Sequence, residues 1–386
     1  MKQMEAERDK AALGVMLYSL SGGGAERVAA LLCRELADRF DITLVLMNDR
    51  IDYPLPANQK ILYLEHSQPD ETGLFKLLKL PLLAWRYARL CKQHGFTASL
   101  SLMNRPNLIN ALSKGFGNPA RVILSERAMP SKQYGYGDSQ SAIMRFLIRR
   151  LYPLADRVTA NSHGNALDLT QNFGITQPVS VIHNPIDLGS IDAQKDEPAN
   201  LPPHRPLFVT VGRLDSGKNH ALLIRAFKTA APQTAALVIL GTGPLQRDLQ
   251  TLIDRLGLAD RVFLNGFEPN PYKYLSKADA FLFASRHEGF PNVLLEALAC
   301  NLPVICTDCP SGPREILAPA TEPTGHLKSG WEAQAFGVLV AVDDEAAFAD
   351  ALKNAPLQSY RAKARSRAAD FDLRAAAGQF AKELYG

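Results

Sequence analysis

The sequence predicts an α/β protein made of two doubly wound, Rossmann-like domains. Three observations predict it. Apolar runs of strand length alternate with helical patterns along nearly the whole chain, the signature of parallel sheets covered by crossover helices. Glycine-rich turns follow several of the strands. The alternation lapses once, over residues 186–206, where Pro198, Pro202, Pro203 and Pro206 gather and apolar periodicity is lost. That stretch reads as a linker between a domain over 1–185 and a second over 207–370. A length of 386 residues suits two to three domains at ~150 residues each. A hydrophobic content of 46% suits packed cores rather than disorder.

Composition excludes several classes. The formal charge of +4 is too weak to argue for nucleic acid, and no Lys/Arg run resembles a binding arm. Residues 1–11 are polar and charged, so no secretory signal is expected there. No uninterrupted apolar stretch reaches the length of a spanning helix. The five cysteines are odd in number and irregularly spaced, which points to a reducing cytoplasm. Cys306-Thr-Asp-Cys309 is formally C-x-x-C, but it lacks a second pair or an activating context, and buried thiols at a strand end explain it as well.

In order, Leu13–Leu20 reads as the first buried strand. Ser21-Gly22-Gly23-Gly24 follows, then a helix from Ala25 to Arg39. Three glycines let the backbone approach a ligand at a helix start, although Arg27 stands where a dinucleotide fingerprint needs its third glycine. Strands are expected at 42–47, 99–103, 122–125, 158–161 and 179–182. Between the second and third lies Gly73–Lys92, with Lys76, Lys79, Arg86, Arg89 and Lys92 and no acid. At about 100° per residue the first four fall on one side of a helix, which Pro81 kinks or begins. A basic, apolar helix of this kind fits a membrane surface or an anion; a packed surface helix with a solvated stripe remains open. A second basic helix candidate covers 141–151.

The second domain opens on the strand 207–211, then the loop Gly212-Arg213-Leu214-Asp215-Ser216-Gly217-Lys218-Asn219 and a helix over 219–230. The loop spells G-x-x-x-x-G-K-N. A P-loop needs Ser or Thr after the lysine to ligate Mg²⁺, and Asn219 fails that requirement. Arg213 and Lys218 nonetheless put two cations on a strand-to-helix turn, suited to a diphosphate. Strands at 236–240 and 262–264 follow, the second running into Gly266-Phe267. The strand 280–284 leads into Ser285-Arg286-His287-Glu288-Gly289-Phe290-Pro291-Asn292-Val293-Leu294-Leu295-Glu296. Glu288 falls in the loop and Glu296 in the first turns of the next helix. Backbone N–H groups of Gly289 to Val293 lie between them at a helix N-terminus, a natural anion site. Two acids around an anion nest suit a phosphorylated sugar; a helix cap with two solvated acids is the plainer alternative. The chain closes on a helix from Asp372. There Asp370-Phe371-Asp372 resembles a metal-binding D-x-D but reads better as an N-cap.

These segments together resemble the GT-B retaining glycosyltransferases of family 4 (group 1), over nearly the whole chain. The matching residues are Val211-Gly212-Arg213…Lys218-Asn219, Leu240-Gly-Thr-Gly-Pro244, Val262–Phe267, Glu288-Gly-Phe-Pro-Asn292…Glu296, and Asp308…Gly312-Pro-Arg-Glu-Ile316, with Ser21-Gly-Gly-Gly-Ala-Glu-Arg27 in the first domain. The resemblance implies two domains facing a central cleft, with the C-terminal helix (372–386) returning to the first. It implies a nucleotide sugar, a UDP-hexose or UDP-N-acetylhexosamine, as substrate, with no cofactor and no metal. It also implies roles: Arg213 and Lys218 on the diphosphate, Glu296 on the ribose, Glu288 on the transferred sugar, and Gly289, Phe290, Pro291, Asn292 and Val293 through their backbone on phosphate and sugar. Gly266 and Phe267 would meet the base, and Gly22, Gly23 and Gly24 would close over the phosphates. The first domain departs from the family: where many relatives carry a histidine near the sugar, Ser125-Glu126-Arg127 stands here. Glu126 and Arg127 are therefore candidates for contacts to acceptor or sugar, or for a pair bracing the loop, and Asn161-Ser162 is a further cleft candidate. Such sequences often elongate polyprenyl-diphosphate-linked saccharides. Lys76, Lys79, Arg86 and Arg89 would then face a lipid-linked acceptor at the inner membrane surface. A soluble acceptor, or a non-catalytic nucleotide-sugar sensor, is the alternative.

Overall fold

The computed structural model describes residues 10–56, 58–67, 73–135 and 137–385. Residues 1–9, on which the expectation of no secretory signal rests, lie outside that set. The chain forms two units, residues 1–185 with 373–386, and residues 186–372.

The first unit runs β1 (Ala11–Leu17), α1 (Gly24–Leu36), β2 (Phe40–Leu46), β3 (Lys60–Tyr63), α2 (Gly73–Leu78), α3 (Leu80–Gln93), β4 (Ala98–Leu102), α4 (Asn104–Ser113), β5 (Arg121–Glu126), α5 (Pro130–Gln133), α6 (Ser139–Leu151), β6 (Arg157–Ala160), α7 (His163–Phe173) and β7 (Val179–Val181). The second runs α8 (Leu188–Gln194), β8 (Leu207–Val211), α9 (His220–Ala230), β9 (Ala236–Leu240), α10 (Gln246–Arg255), β10 (Val262–Leu264), α11 (Tyr272–Leu275), β11 (Ala280–Phe283), α12 (Asn292–Ala299), β12 (Val304–Thr307), α13 (Pro313–Leu317), β13 (Trp331–Ala333), β14 (Val338–Val340), α14 (Glu345–Asn354) and α15 (Gln358–Ala369). The last helix, α16 (Leu373–Tyr385), belongs to the first unit.

Each unit is a seven-stranded sheet, in the order β3-β2-β1-β4-β5-β6-β7 and β10-β9-β8-β11-β12-β14-β13. Among the pairings, β13 with β14 is antiparallel and the others are parallel. The strands are apolar on both faces because helices cover both faces. Leu13, Val15 and Leu17 pack with Val28, Leu32 and Leu36 of α1 and Phe380 of α16. Met16 of the same strand points the other way, toward Leu83, Tyr87, Leu108 and Ile148. In the second unit Val209, Phe281 and Phe283 join α12 and α15 on one face, and Phe208, Leu282 and Ile305 join α9, α10 and α14 on the other. Both sheets reverse their strand order beside their first strand, between β1 and β4 and between β8 and β11. Loops at the carboxyl ends of strands flanking such a reversal diverge and leave a crevice, the usual ligand site of this architecture.

Two expectations change. Residues 186–206 are not a free linker but part of the second unit. Ile191 of α8 is 1% exposed in that unit's core, and the carbonyls of Gln194 and Lys195 accept from Asn270 and Ser276. A seven-residue helix anchored chiefly by one buried isoleucine is too short to show periodicity in the sequence. The basic stretch is two helices, as the reading of Pro81 as a helix start allowed, and its four cations do not share one environment. It divides at Lys79, with Pro81 in the first turn of α3, since proline begins a helix more readily than it continues one. Lys76 then lies over the Tyr18 ring and Lys79 beside Glu65 (3.8 Å), while Arg86 and Arg89 stay exposed. Phe75, Leu78, Leu82 and Trp85 also stand exposed, at 42–69%. No helix among the described residues is long and apolar enough to cross a membrane.

Candidate active site

The reversal of the second sheet brings together the two loops singled out in the sequence. The 212–219 loop leaves β8, the 284–291 loop leaves β11, and these strands are neighbours. The loops are tied side by side. The Arg286 amide donates to the Gly217 carbonyl (2.8 Å) and its guanidinium to the Ser216 carbonyl (2.7 Å). Asp343 accepts from both Arg286 Nε (2.8 Å) and the Asn219 amide (2.9 Å). A third loop, after β9, is pressed against the first. A Cβ on Gly241 would fall 2.0 Å from the Gly212 carbonyl oxygen, so only glycine lets these backbones meet.

Lys218 and Glu288 come together across the loops as an ion pair, Nζ to Oε1 2.5 Å. Burial works against the ammonium, but the Glu288 charge and hydrogen bond outweigh it and the lysine pKa is raised. Beneath them His220, at the start of α9, is 3% exposed. Burial, with the Lys218 charge adding to it, pushes its imidazole down to about 4, so it is neutral around pH 7. Arg213 stands out from the loop with its side chain 72% exposed, 3.8 Å from Asp215. Phe267 is 63% exposed after Gly266, whose carbonyl accepts from the Gly241 amide (2.7 Å). Lys218, Glu288, Arg213, Gly266 and Phe267 thus lie on loops at one sheet edge.

The rest of the E-x₇-E stretch is less open than its sequence suggests. Phe290 is 4% exposed and packs on Phe371 with ring centres 5.4 Å apart, so its side chain serves the core. Pro291 is buried and has no N–H to give. The donors left to an anion there are backbone N–H groups, and α12 starts at Asn292 with Val293 in its first turn. Glu296 lies in the second turn and is 2% exposed. Behind the stretch, Ser311 Oγ donates to the Gly289 carbonyl (2.6 Å) and Asp308 is buried against the Arg314 guanidinium. Cys306 and Cys309 are both free and buried, and burial pushes both thiols up, which leaves them unreactive. In the 370–372 stretch Asp370 accepts from Arg367 (2.8 Å), and Phe371 is 7% exposed.

In the first unit, Gly22, Gly23 and Gly24 lead into α1, but Glu26 folds back on the helix start. Burial pushes its carboxyl up against a backbone hydrogen bond that lowers it. Tyr53 closes the turn by donating to the Gly23 carbonyl (2.9 Å). Glu126 ends β5 and Arg127 follows it, and both are buried. Glu126 is 1% exposed and accepts from Tyr152 Oη (2.7 Å) and from the amides of Arg127 and Ala128. Burial pushes its carboxyl up to about 7 despite those hydrogen bonds. Arg127 turns away to Asn184 (2.7 Å) and the Phe380 ring, and burial lowers its pKa to about 10. The two brace the loop by separate partners. Asn161 is likewise buried, donating to the Arg127 carbonyl, and Ser162 caps α7.

Sequence reasoning missed the Arg286–Asp343–Asn219 clamp, His220, and the Glu65–Arg105 pair of the first unit. Asp343 is distant in sequence and Arg105 belongs to no motif. The one available signal for Arg105 is that it is the first basic residue after the strand expected at 99–103.

Comparison with known proteins adds the following. The profile of "Glycosyl transferases group 1" matches residues 192–369, and that of "Glycosyltransferase Family 4" matches residues 22–190. The chain is 42% identical, over 97% of its length and 99% of the other's, to the N-acetylgalactosamine-N,N'-diacetylbacillosaminyl-diphospho-undecaprenol 4-alpha-N-acetylgalactosaminyltransferase of Campylobacter jejuni. It is 27% identical to an amylovoran biosynthesis glycosyltransferase of Erwinia amylovora, over 77% of this chain and 80% of that one. Among solved structures, Anabaena HepE in complex with UDP and glucose superposes with a TM-score of 0.75 at 18% identity, covering 97% of this chain and 99% of that one. Sucrose-phosphate synthase from Thermosynechococcus elongatus does so with a TM-score of 0.78 at 19% identity and the same coverage.

Proposed function

The chain belongs to the group 1, family 4 glycosyltransferases, with the GT-B fold, and from that premise we propose that it moves a hexose or N-acetylhexosamine from a UDP-sugar to a polyprenyl-diphosphate-linked saccharide, with retention and without metal. The observation that carries the donor half is the meeting of Lys218 and Glu288 at the reversal point of the second sheet. The relative from Campylobacter, similar over the whole chain, is named for transfer to a diphospho-undecaprenol saccharide, which supports the acceptor half.

The chemistry follows from charge. Breaking the bond between the anomeric carbon and the phosphate leaves negative charge on a nucleoside diphosphate. Arg213, Lys218 and the first-turn amides of α12 are cations and dipoles aimed at that leaving group. As the phosphate draws Lys218 Nζ to itself, Glu288 is released to accept from sugar hydroxyls, and Glu296 serves the ribose. The acceptor hydroxyl attacks from the face the phosphate leaves, and its proton passes to the departing phosphate oxygen. Such a step needs neither a protein nucleophile nor a Lewis acid.

On the acceptor side, the exposed ridge Phe75, Leu78, Leu82 and Trp85 lies beside Arg86 and Arg89 and suits the anionic inner face of a membrane. A donor panel with a polyprenyl-diphosphate saccharide tests the whole reading. Nucleoside diphosphate release that requires the acceptor and persists in EDTA is expected. Donor binding without transfer would instead favour a sensor.

A further inference from the structure

A cluster of charge at the reversal of the first sheet includes none of the residues assigned above to the donor. After β4 the chain turns through Met103 (φ 75°) into α4, which puts Arg105 beside the ends of β1 and β3. Its Nη1 pairs with Glu65 Oε1 at 2.5 Å and lies 3.4 Å from Ser67 Oγ. The Glu65 side chain is 8% exposed, and Lys79 Nζ lies 3.8 Å from its other oxygen. Lys76, one turn before Lys79, reaches over Tyr18 at the end of β1. Arg105 and Lys79 thus meet one carboxylate, and Lys76 adds a third cation one turn before Lys79. Arg105 Nε and Nη2 are buried and make no hydrogen bond. These two nitrogens form one edge of the guanidinium, the edge that grips a phosphate with two parallel bonds. Leaving them unmet in a buried site is costly unless a ligand meets them.

We propose that Arg105, with Lys76 and Lys79, binds the diphosphate of the acceptor, and that Glu65 is a positioning residue that holds the guanidinium by Nη1 and leaves its Nε–Nη2 edge for the ligand. A diphosphate diester carries one negative charge on each phosphorus and matches the two positive charges left in excess. Phe75 and Leu78, exposed beside the two lysines, give the isoprenoid an apolar path away from it. The lipid-linked acceptor is taken from the function proposed above; the anion site stands on the Arg105 geometry.

The test is calorimetric titration of the full chain with farnesyl diphosphate, below its micelle concentration and with UDP saturating so that the donor loops are occupied. Farnesyl monophosphate and farnesol are titrated alongside. Wild type should bind the diphosphate best. Arg105→Gln should weaken it by about tenfold or more, and Arg105→Lys should recover little, because an ammonium cannot make the two-pronged contact. Lys76→Ala, on a half-buried side chain, should weaken it by about threefold and checks the idea should the Arg105 variants fold poorly; unchanged UDP affinity and melting serve as the fold control. Diphosphate binding that is unaffected in Arg105→Gln and Lys76→Ala, or no tighter than farnesol binding, or abolished by UDP, overturns the site. Diphosphate binding lost in Arg105→Gln while wild type transfers no sugar to a diphosphate-linked saccharide upholds the site and contradicts the transfer reading. Transfer with an unchanged acceptor KM in Arg105→Gln contradicts the site and upholds the transfer reading.

Discussion

In the proposed reaction the donor chemistry turns on Lys218 and Glu288. Each neutralises the other across two loops, so each substitution also strips its partner. Lys218→Ala removes a cation aimed at the leaving diphosphate and should lower kcat by about a hundredfold or more. Glu288→Gln keeps the shape, frees Lys218 and should lower kcat with little change in UDP affinity. Turnover unchanged in both, measured as UDP release, would contradict their roles. Glu126 makes a different kind of prediction. Its carboxyl is held up at about 7, above its ordinary value of 4.5. Between those values the folded protein binds the extra proton, so stability falls as pH rises from about 4.5 to 7 and is flat above. Glu126→Gln removes that dependence. The melting temperature of the variant relative to wild type should therefore rise between pH 5 and pH 8, by the equivalent of about 3 kcal/mol; an equal difference at both pH values rules the buried carboxyl out as its cause. Neither the Lys218–Glu288 contact nor the burial of Glu126 is written in local spacing. The motif marked Lys218 and Glu288, while Glu126 read from the sequence either as a ligand contact or as part of a pair bracing its loop; its burial under Tyr152 is seen only in the packing.

At the scale of elements, strand-to-helix turns carry both the candidate site residues and the strain. Gly312 before α13 sits at φ 94°, and a Cβ there would fall 2.6 Å from Pro291 Cδ. Gly312→Ala should displace the 289–291 backbone, lower the melting temperature by several degrees and weaken UDP binding in the same titration; a variant normal in both would mean the turn yields freely. The helices α2 and α3 carry the membrane prediction. Their exposed apolar side chains lie next to α6, where Gln140 abuts Gly73 and where Ile143 and Phe146 are also exposed. Leu78→Ser with Trp85→Ser should abolish flotation with anionic liposomes, and Arg86→Glu with Arg89→Glu should make it fail at low salt. Flotation that survives both pairs excludes this surface. The sequence showed the basic residues on one side, but not that Lys76 and Lys79 at the edge of that side lie against Tyr18 and Glu65 while Arg86 and Arg89 stay exposed. Short elements were also opaque: β3, with four residues and no fully buried side chain, gave no apolar run to recognise.

The whole molecule repeats one rule. Each sheet doubles back beside its first strand, and each gathers charged side chains near there, Arg213, Lys218 and Glu288 in one unit and Arg105, Lys76 and Lys79 in the other. This architecture was legible because buried parallel strands are continuous apolar runs separated by helices of ordinary length. The path of the chain at its end was implied by family resemblance alone, since nothing in 373–385 names the sheet it covers. In the structure α16 places Phe380, fully buried, in the core that α1 shares with β1 and β4. Phe380→Ala should therefore cost the first unit about 3–5 kcal/mol and leave UDP binding by the second unit intact, seen as a shift of one denaturation transition; loss of UDP affinity would contradict that independence. The central claim is sugar transfer from a nucleotide donor to a diphosphate-linked lipid acceptor, and the direct measurement is product analysis with UDP-N-acetylhexosamine and a polyprenyl-diphosphate saccharide. The account predicts an acceptor lengthened by one α-linked sugar, formed with one UDP released per transfer and suppressed in Lys218→Ala. UDP-sugar bound by the wild-type protein with no lengthened acceptor, or a product with inverted anomeric configuration, would contradict it.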